Sequence, residues 1–327
     1  MQRCVMADKT KDFQTEKMLR GDHIVRGTAA DGQIRAFAVT ARDTVQAAKE
    51  AHHTSPLVTA ALGRLMMSGL MMGVMFKNPG ELVTLSVRGD GPIGGLTVTA
   101  NTEGQVKGFA NHPNVWLPPN EKGKLDVGGG IGFGSLTVIR DEPGADPYSS
   151  SVELASGEIG DDITYYFAMS EQVPTSVGVG VLVDRDTSVR QAGGFLVQLM
   201  PDCSDEVADK LEANLAQINS VTDMLEDGLL PADILRRVLD GLDFQELEAI
   251  PAEFHCGCNE DRAIRAVLAL GIDELQSLVD DGEPAEVYCH FCGKRYTLSP
   301  DKLKLLLAAG VKAESQEAEE ESGKATE

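Results

Sequence analysis

Two stretches, FHCGCNE at residues 254–260 and VYCHFCGK at residues 287–294, hold four of the chain's six cysteines. If these C-x-C and C-x-x-C pairs serve one centre, they must meet at one point in space, whatever the thirty-residue spacer between them forms. The pattern predicts a tetrahedral zinc site, with Cys256 and Cys258 on one edge and Cys289 and Cys292 on the other. Gly293 suits a turn that loops the backbone round the metal, and Gly257 is expected to let the chain turn sharply inside the first pair. In the spacer, Asn259 is placed to cap a helix that carries Glu260 and Asp261 in its first turn, turns Ile264, Val267 and Leu268 inward and stops at Gly271. Ile272, Leu275, Leu278 and Val279 mark a second short helix closed by Asp281-Gly282. A module of about fifty residues seldom holds together on its apolar core alone. A structural zinc ion supplies ~10–16 kcal/mol of apparent binding free energy, so the module is expected to unfold without metal. Two readings of the cluster stay open at this point, a permanent staple and a redox switch. A thiolate pair on an exposed loop can oxidise locally, and His255, His290, Lys294 and Arg295 stand close enough in sequence to favour thiolate. Either histidine could ligate in principle, but four sulfurs already fill a tetrahedron.

The rest of the chain sets the context for these thiols. The N-terminus, MQRCVMADKTKDFQTEK, has no apolar signal core, and the most apolar stretch, LMMSGLMMGVMF at residues 65–76, is too short to span a bilayer. A cytoplasmic location is expected, and there clustered cysteines serve metal or redox chemistry rather than a disulfide framework. Cys4 and Cys203 stand alone and read as incidental thiols. The formal charge is -22, with 51 acidic against 29 basic side chains. Nucleic acid and anionic membrane are poor partners for such a surface, and the acidity serves solubility.

The chain length of 327 residues suggests more than one folding unit. Residues 1–21 read as a flexible N-terminus. Residues 22–201 read as one α+β domain, a mixed, mostly antiparallel sheet packed on buried helices. HIVRG and QIRAFAVT are strands, DTVQAAKEAHH is a helix, and Pro56 opens a longer helix that is apolar nearly all round. From 81 to 141, ELVTLSVRG, GGLTVTA, QVKGFA and GSLTVIRD alternate with turn residues as strands do. GEIGDDITYYFAMSEQV reads as a helix, followed by the strands SVGVGVLVD and GGFLVQLMP. Residues 202–250 turn helical. From an N-cap at Ser204, Val207, Leu211, Leu215, Ile218, Val221 and Leu225 draw one stripe to Gly228, and Pro231 starts another helix that ends at Gly241. DFQELEAI then leads to Pro251. This region has no core of its own and must bury its stripes elsewhere, so it is expected to be a helical linker. Residues 251–310 form the zinc module and residues 311–327 a disordered acidic tail.

Other candidate features carry less. GGGIGFGS at 128–135 lacks the Lys-Ser/Thr ending of a phosphate loop and reads as a glycine-rich strand or bulge. His52-His53 falls at a helix end, where a cation suits the dipole. Met66, Met67, Met71, Met72 and Met75 form an apolar strip that suits a core. The C-x-x-C does not follow a strand and open a helix, as a thioredoxin site would.

The spaced cysteine pairs, together with AALGRLMMSGLMMG (60–73), DPYSSSVELASGEIGDDITYYFAMSEQVP (146–174) and AGGFLVQLMP (192–201), resemble the heat shock protein 33 family of redox-regulated chaperones over roughly residues 20–300. The resemblance implies a non-enzymatic holdase that is quiescent as a reduced, zinc-bound monomer. It implies that oxidation joins Cys289 with Cys292 and Cys256 with Cys258, expels the metal and unfolds the linker. The exposed surface then binds unfolding client proteins, and the active form dimerises. The rival reading is an enzyme with a catalytic α+β domain and a purely structural zinc module.

Overall fold

The computed structural model describes residues 21–309. Cys4, most of the expected flexible N-terminus and the acidic tail lie outside the described residues. The chain divides into two compact units, between His255 and Cys256.

The first unit is built round one helix. Ser55 accepts a hydrogen bond from the Val58 amide at 3.4 Å, and Pro56 occupies the first helical position, where no amide is needed. The helix they start, Pro56–Gly73, follows a first helix, Arg42–His52, and the two are called α2 and α1. By length and composition α2 would suit a membrane, yet 89% of it is buried inside this unit. Met66, Met67 and Met71 are fully buried, so the methionine strip is core. Close approach is possible because α2 carries glycine where neighbours come near. A Cβ at Gly63 would lie 2.8 Å from Val45, and one at Gly73 would lie 2.7 Å from the Asn101 carbonyl.

Two sheets contribute to the same core as α2. The first is five-stranded and antiparallel throughout, in the order β10-β1-β2-β9-β8. Its strands are β1 (His23–Ala29), β2 (Ile34–Thr40), β8 (Thr175–Val183), β9 (Val189–Leu199) and β10 (Gln245–Pro251). The second sheet has the order β11-β5-β4-β3-β6-β7, with β3 (Leu82–Gly89), β4 (Leu96–Asn101), β5 (Gln105–Ala110), β6 (Gly134–Asp141), β7 (Tyr148–Glu153) and β11 (Glu253–Phe254). Only β11 on β5 is parallel. The α+β class with a mostly antiparallel, mixed sheet is therefore observed, divided over two sheets.

Several local expectations change. The glycine-rich stretch is half helix. Asp126 caps a single turn, α3 (Val127–Ile131), and only from Gly134 does the chain run as strand β6. Amides of Gly91 and Ile93 bond to the Ile131 and Gly130 carbonyls at 2.8 and 3.0 Å, so tertiary pairing overrides the low helix propensity of glycine. The helix expected over 157–173 starts at Gly160, spans α4 (Gly160–Tyr166) and ends in a π-turn, Phe167–Glu171. Ahead of it, the buried Asp162 carboxylate accepts amides from Ala155, Ser156, Gly157 and Ile159 at 2.8–3.2 Å. That bonding holds Ile159 at a φ of +61°, a conformation costly for a β-branched residue.

The single long helix expected from Ser204 to Gly228 is two helices, α5 (Asp205–Leu215) and α6 (Val221–Glu226), followed by α7 (Pro231–Val238). Ser204 and Ser220 hold the N-cap positions but make no side-chain cap bond. The stripe survives the break. Leu211, Val221, Leu225, Ile234, Leu235 and Val238 are buried in one cluster with Val25, Ala36, Ala38, Phe195 and Val197 of the five-stranded sheet. The helices therefore cover that sheet on the opposite face from α2. Residues 245–251, read only as a connecting segment, form edge strand β10 in register with β1, with Arg26 and Glu248 paired at 2.6 Å.

The second unit holds α8 (Glu260–Leu268), α9 (Ile272–Asp281), the hairpin β12 (Ala285–Tyr288) and β13 (Arg295–Leu298), and a helix over 300–309. Asn259 caps α8 through the Arg262 amide at 2.9 Å, and Gly282 closes α9 with a φ of +71°. Val267 turns inward as expected, but Leu268 is 39% exposed and Ala263 takes the buried place.

Two outcomes test this description. Asp162→Ala strands four amides and is expected to lower stability to urea by about 3 kcal/mol or more, with Asp162→Asn in between. The buried Tyr166 hydroxyl donates to Glu171 at 2.6 Å, and burial, then that carboxylate, push it up to about 12. Since an unfolded tyrosine titrates near ~10, this stability is full below that pH and is lost as pH rises through the folded value. Tyr166→Phe should remove that alkaline slope from a pH series of melts.

Candidate metal centre

The sulfurs of Cys256, Cys258, Cys289 and Cys292 all lie within 4.8 Å of one another. Two separations are 3.6 Å (Cys256 to Cys289) and 3.4 Å (Cys258 to Cys292). A tetrahedral ion with metal–sulfur bonds of ~2.3 Å sets its sulfurs about 3.8 Å apart, whereas a disulfide joins them at ~2.05 Å. All four are free thiols, so the set is reduced and has the spacing of a metal-binding tetrahedron. The group contains no histidine.

The second unit's local structure delivers the ligands. The β12–β13 hairpin turns through CHFCGK. Cys289 N–H donates to the Lys294 carbonyl at 2.9 Å and Gly293 N–H to the Cys289 carbonyl at 2.8 Å. Gly293 takes a φ of +69°, the left-handed geometry this turn needs. Gly257 does not adopt positive φ, so the first pair needs no such turn. Cys258 is followed at once by Asn259, whose cap on α8 fixes the chain beside the sulfur.

The four thiols are not equivalent. Burial raises Cys256 and Cys292, against amides of Cys258 and Lys294 that pull them down. At Cys258 burial pushes the same way, but the Tyr296 hydroxyl and the neighbouring sulfurs outweigh it and bring the thiol down to about 7. Tyr296 Oη donates to Cys258 Sγ at 3.1 Å, and the bond raises the phenol in turn. No spacing rule pointed to Tyr296; the only signal was an aromatic residue four positions past Cys292 on the returning strand.

Two of the basic residues expected to favour thiolate are engaged by aromatic rings of the hairpin. Lys294 Nζ lies 5.1 Å from the Tyr296 ring centre, and Arg295 stacks on Tyr288 at 4.8 Å and pairs with Glu286 at 3.1 Å. His255 belongs to the first unit, 3.9 Å from the Glu253 carboxylate. Cys203 lies just past β9. Burial and Asp205 raise it, and its Sγ lies 3.6 Å from the Ser204 carbonyl. His53 caps α1 in a left-handed conformation with its amide on the Lys49 carbonyl.

The Hsp33 protein family profile matches residues 22–299. The "33 kDa chaperonin" of Agathobacter rectalis is 50% identical over 283 residues, covering 86% of this chain and 98% of that protein. That of Caldanaerobacter subterraneus is 47% identical over 288 residues, covering 88% and 98%. The crystal structure of the 33 kDa chaperonin, a heat shock protein 33 homolog, from Thermotoga maritima superposes with a TM-score of 0.83 at 36% identity, covering 89% of this chain and 99% of that one. Profile, relatives and fold all span both the buried-helix core and the four-cysteine unit, and the chain belongs to the Hsp33 family of chaperones.

Proposed function

We propose that the protein is a redox-regulated, ATP-independent holdase that binds unfolding client proteins when oxidised. In the reduced state Cys256, Cys258, Cys289 and Cys292 hold one zinc ion, which supplies a cross-link between the two ends of the second unit. The observation that carries this reading is the gathering of four unbonded sulfurs within 4.8 Å, in a unit whose buried core cluster, among the described residues, is small: Val267, Leu275, Leu298 and Leu303. Such a core is too small to stand by itself. Peroxide or hypochlorite takes two electrons from each adjacent pair, joining Cys289 to Cys292 and Cys256 to Cys258 while the oxidant is reduced to water or chloride. Both pairs lie close enough for this after small movements.

Residues 202–250 act as the metastable linker and residues 251–310 as the zinc module. The connection is short, since β10 and β11 run directly into the first sulfur pair. Loss of the module's fold frees this segment to peel away, and the apolar stripe of α5–α7 and the sheet beneath it become adhesive to other apolar surfaces. The charge of -22 keeps the exposed form in solution. The reduced form is a cytoplasmic monomer and the oxidised one a homodimer. Neither nucleic acid nor membrane is a partner, and no reaction is catalysed.

Reduced and peroxide-treated protein, mixed with a heat-labile client under light scattering while a chromogenic chelator reports zinc, test the reading together. Protection by the oxidised form alone, with one zinc released per chain, is expected; equal protection by both forms refutes the switch. A second test reaches the site itself. Tyr296→Phe should weaken zinc binding by about 10–100-fold in chelator competition, as loss of a partner that orients a ligand does; unchanged affinity would show that the hydroxyl has no part in holding the metal.

A further inference from the structure

The two sheets leave unequal edges. β10 carries Glu246, Glu248 and Pro251, β7 is short and ends in Glu153, and β11 is two residues long. These are the usual defences of an edge against a foreign strand. β8, TSVGVGVLV, is nine residues long with no charge and no proline, and among the described residues it has a neighbouring strand, β9, on one side only.

The backbone orientation of β8 is fixed by its contacts. Val177 N–H donates to Thr164 Oγ1 at 3.2 Å, away from β9, while the Gly178 carbonyl points at Gly194 of β9. In an antiparallel ladder such directions alternate, so Val177, Val179 and Val181 turn their N–H and C=O groups to the open edge. Among the described residues, no other element hydrogen-bonds those of Val179 and Val181. A groove of about 690 Å³ runs there, and every residue from Ser176 to Val183 lines it. Eight residues of strand span about 26 Å. Three charged residues stand on its walls: Lys124 and Asp161 offset each other, and Arg64 is paired with Glu158 at 2.5 Å; further wall comes from the α5–α6 turn, Leu215 to Thr222.

We propose that this edge is where a client binds: an extended, uncharged segment of an unfolding protein adds to β8 as a sixth strand of the five-stranded sheet. This rests on the holdase reading and names its docking surface. The valine side chains of β8 pack towards the core round α2, so the edge offers backbone groups rather than side-chain pockets. Recognition by main-chain hydrogen bonds accepts many sequences, and the balanced walls favour a segment without net charge. One wall belongs to the segment that oxidation releases, so the groove opens as the chaperone is switched on.

The test uses the oxidised full-length protein and a fluorescent peptide of alternating valine and threonine with lysine ends. Its twin carries N-methyl groups on alternate residues, which remove the donors of one edge. Anisotropy should show the twin binding about tenfold more weakly or worse. Val179→Pro, which removes only an outward donor and follows a permissive glycine, should weaken the plain peptide to the same degree. Equal affinity for the two peptides on the unsubstituted protein, or binding of neither while client protection persists, overturns the proposal even if Val179→Pro fails to fold. Loss of dimerisation in Val179→Pro with both peptides bound alike gives the edge to a second copy and also overturns it. Failure of the oxidised protein to protect any client refutes the holdase reading instead.

Discussion

Four sulfurs brought within 4.8 Å are the constraint from which the behaviour of the second unit follows. Thiolates that close repel one another unless a cation or protons stand between them. The unit around them has only a small buried core. On the proposed function its fold depends on what fills the space between the sulfurs, and sulfur is also the atom that an oxidant attacks. In that function a structural cross-link and a chemical sensor would be the same group of atoms. The first unit is built the other way, round a helix buried between sheets, and needs no such support.

The helices of residues 205–238 lie between these extremes. They have no core of their own, yet they complete one: their stripe fills the face of the five-stranded sheet that α2 leaves open. Strand β10 then ties the end of this segment to β1 through a ladder at the sheet's edge. Edge pairing with half-exposed glutamates is weaker than burial between sheets, and local opening begins at such places. A segment held by one docked face and one edge ladder is suited to conditional folding, whereas α2, with neighbours on all sides, is not.

Much of this was legible in the sequence because it was local. Pro56 and the serine before it start α2, the apolar content of α2 predicts its burial, and Asn259 and Gly282 bound the spacer helices where expected. The meeting of the four cysteines was legible from spacing, since the two pairs together supply the four sulfurs of one tetrahedron. What stayed hidden was decided at a distance. QELEAI is acidic and shows little inward face, and only pairing with β1 makes it a strand. The break between α5 and α6 leaves the stripe intact, because both pieces face the same sheet, so periodicity does not register it. The turn at Val127–Ile131 exists because amides of Gly91 and Ile93, in the β3–β4 turn, bond to it, against glycine's preference. Tyr296 reaches Cys258 across a hairpin whose register no local pattern reveals.

Amide hydrogen exchange on the full chain, read by mass spectrometry before and after zinc is withdrawn and the thiols are oxidised, tests the dependence most directly. Peptides from 256–309 and from 205–251 should lose most of their protection together, while those from α2 and β3–β6 keep theirs. Unchanged protection over 256–309 in the metal-free, oxidised chain would contradict the claim that the sulfur-bound ion holds this unit folded.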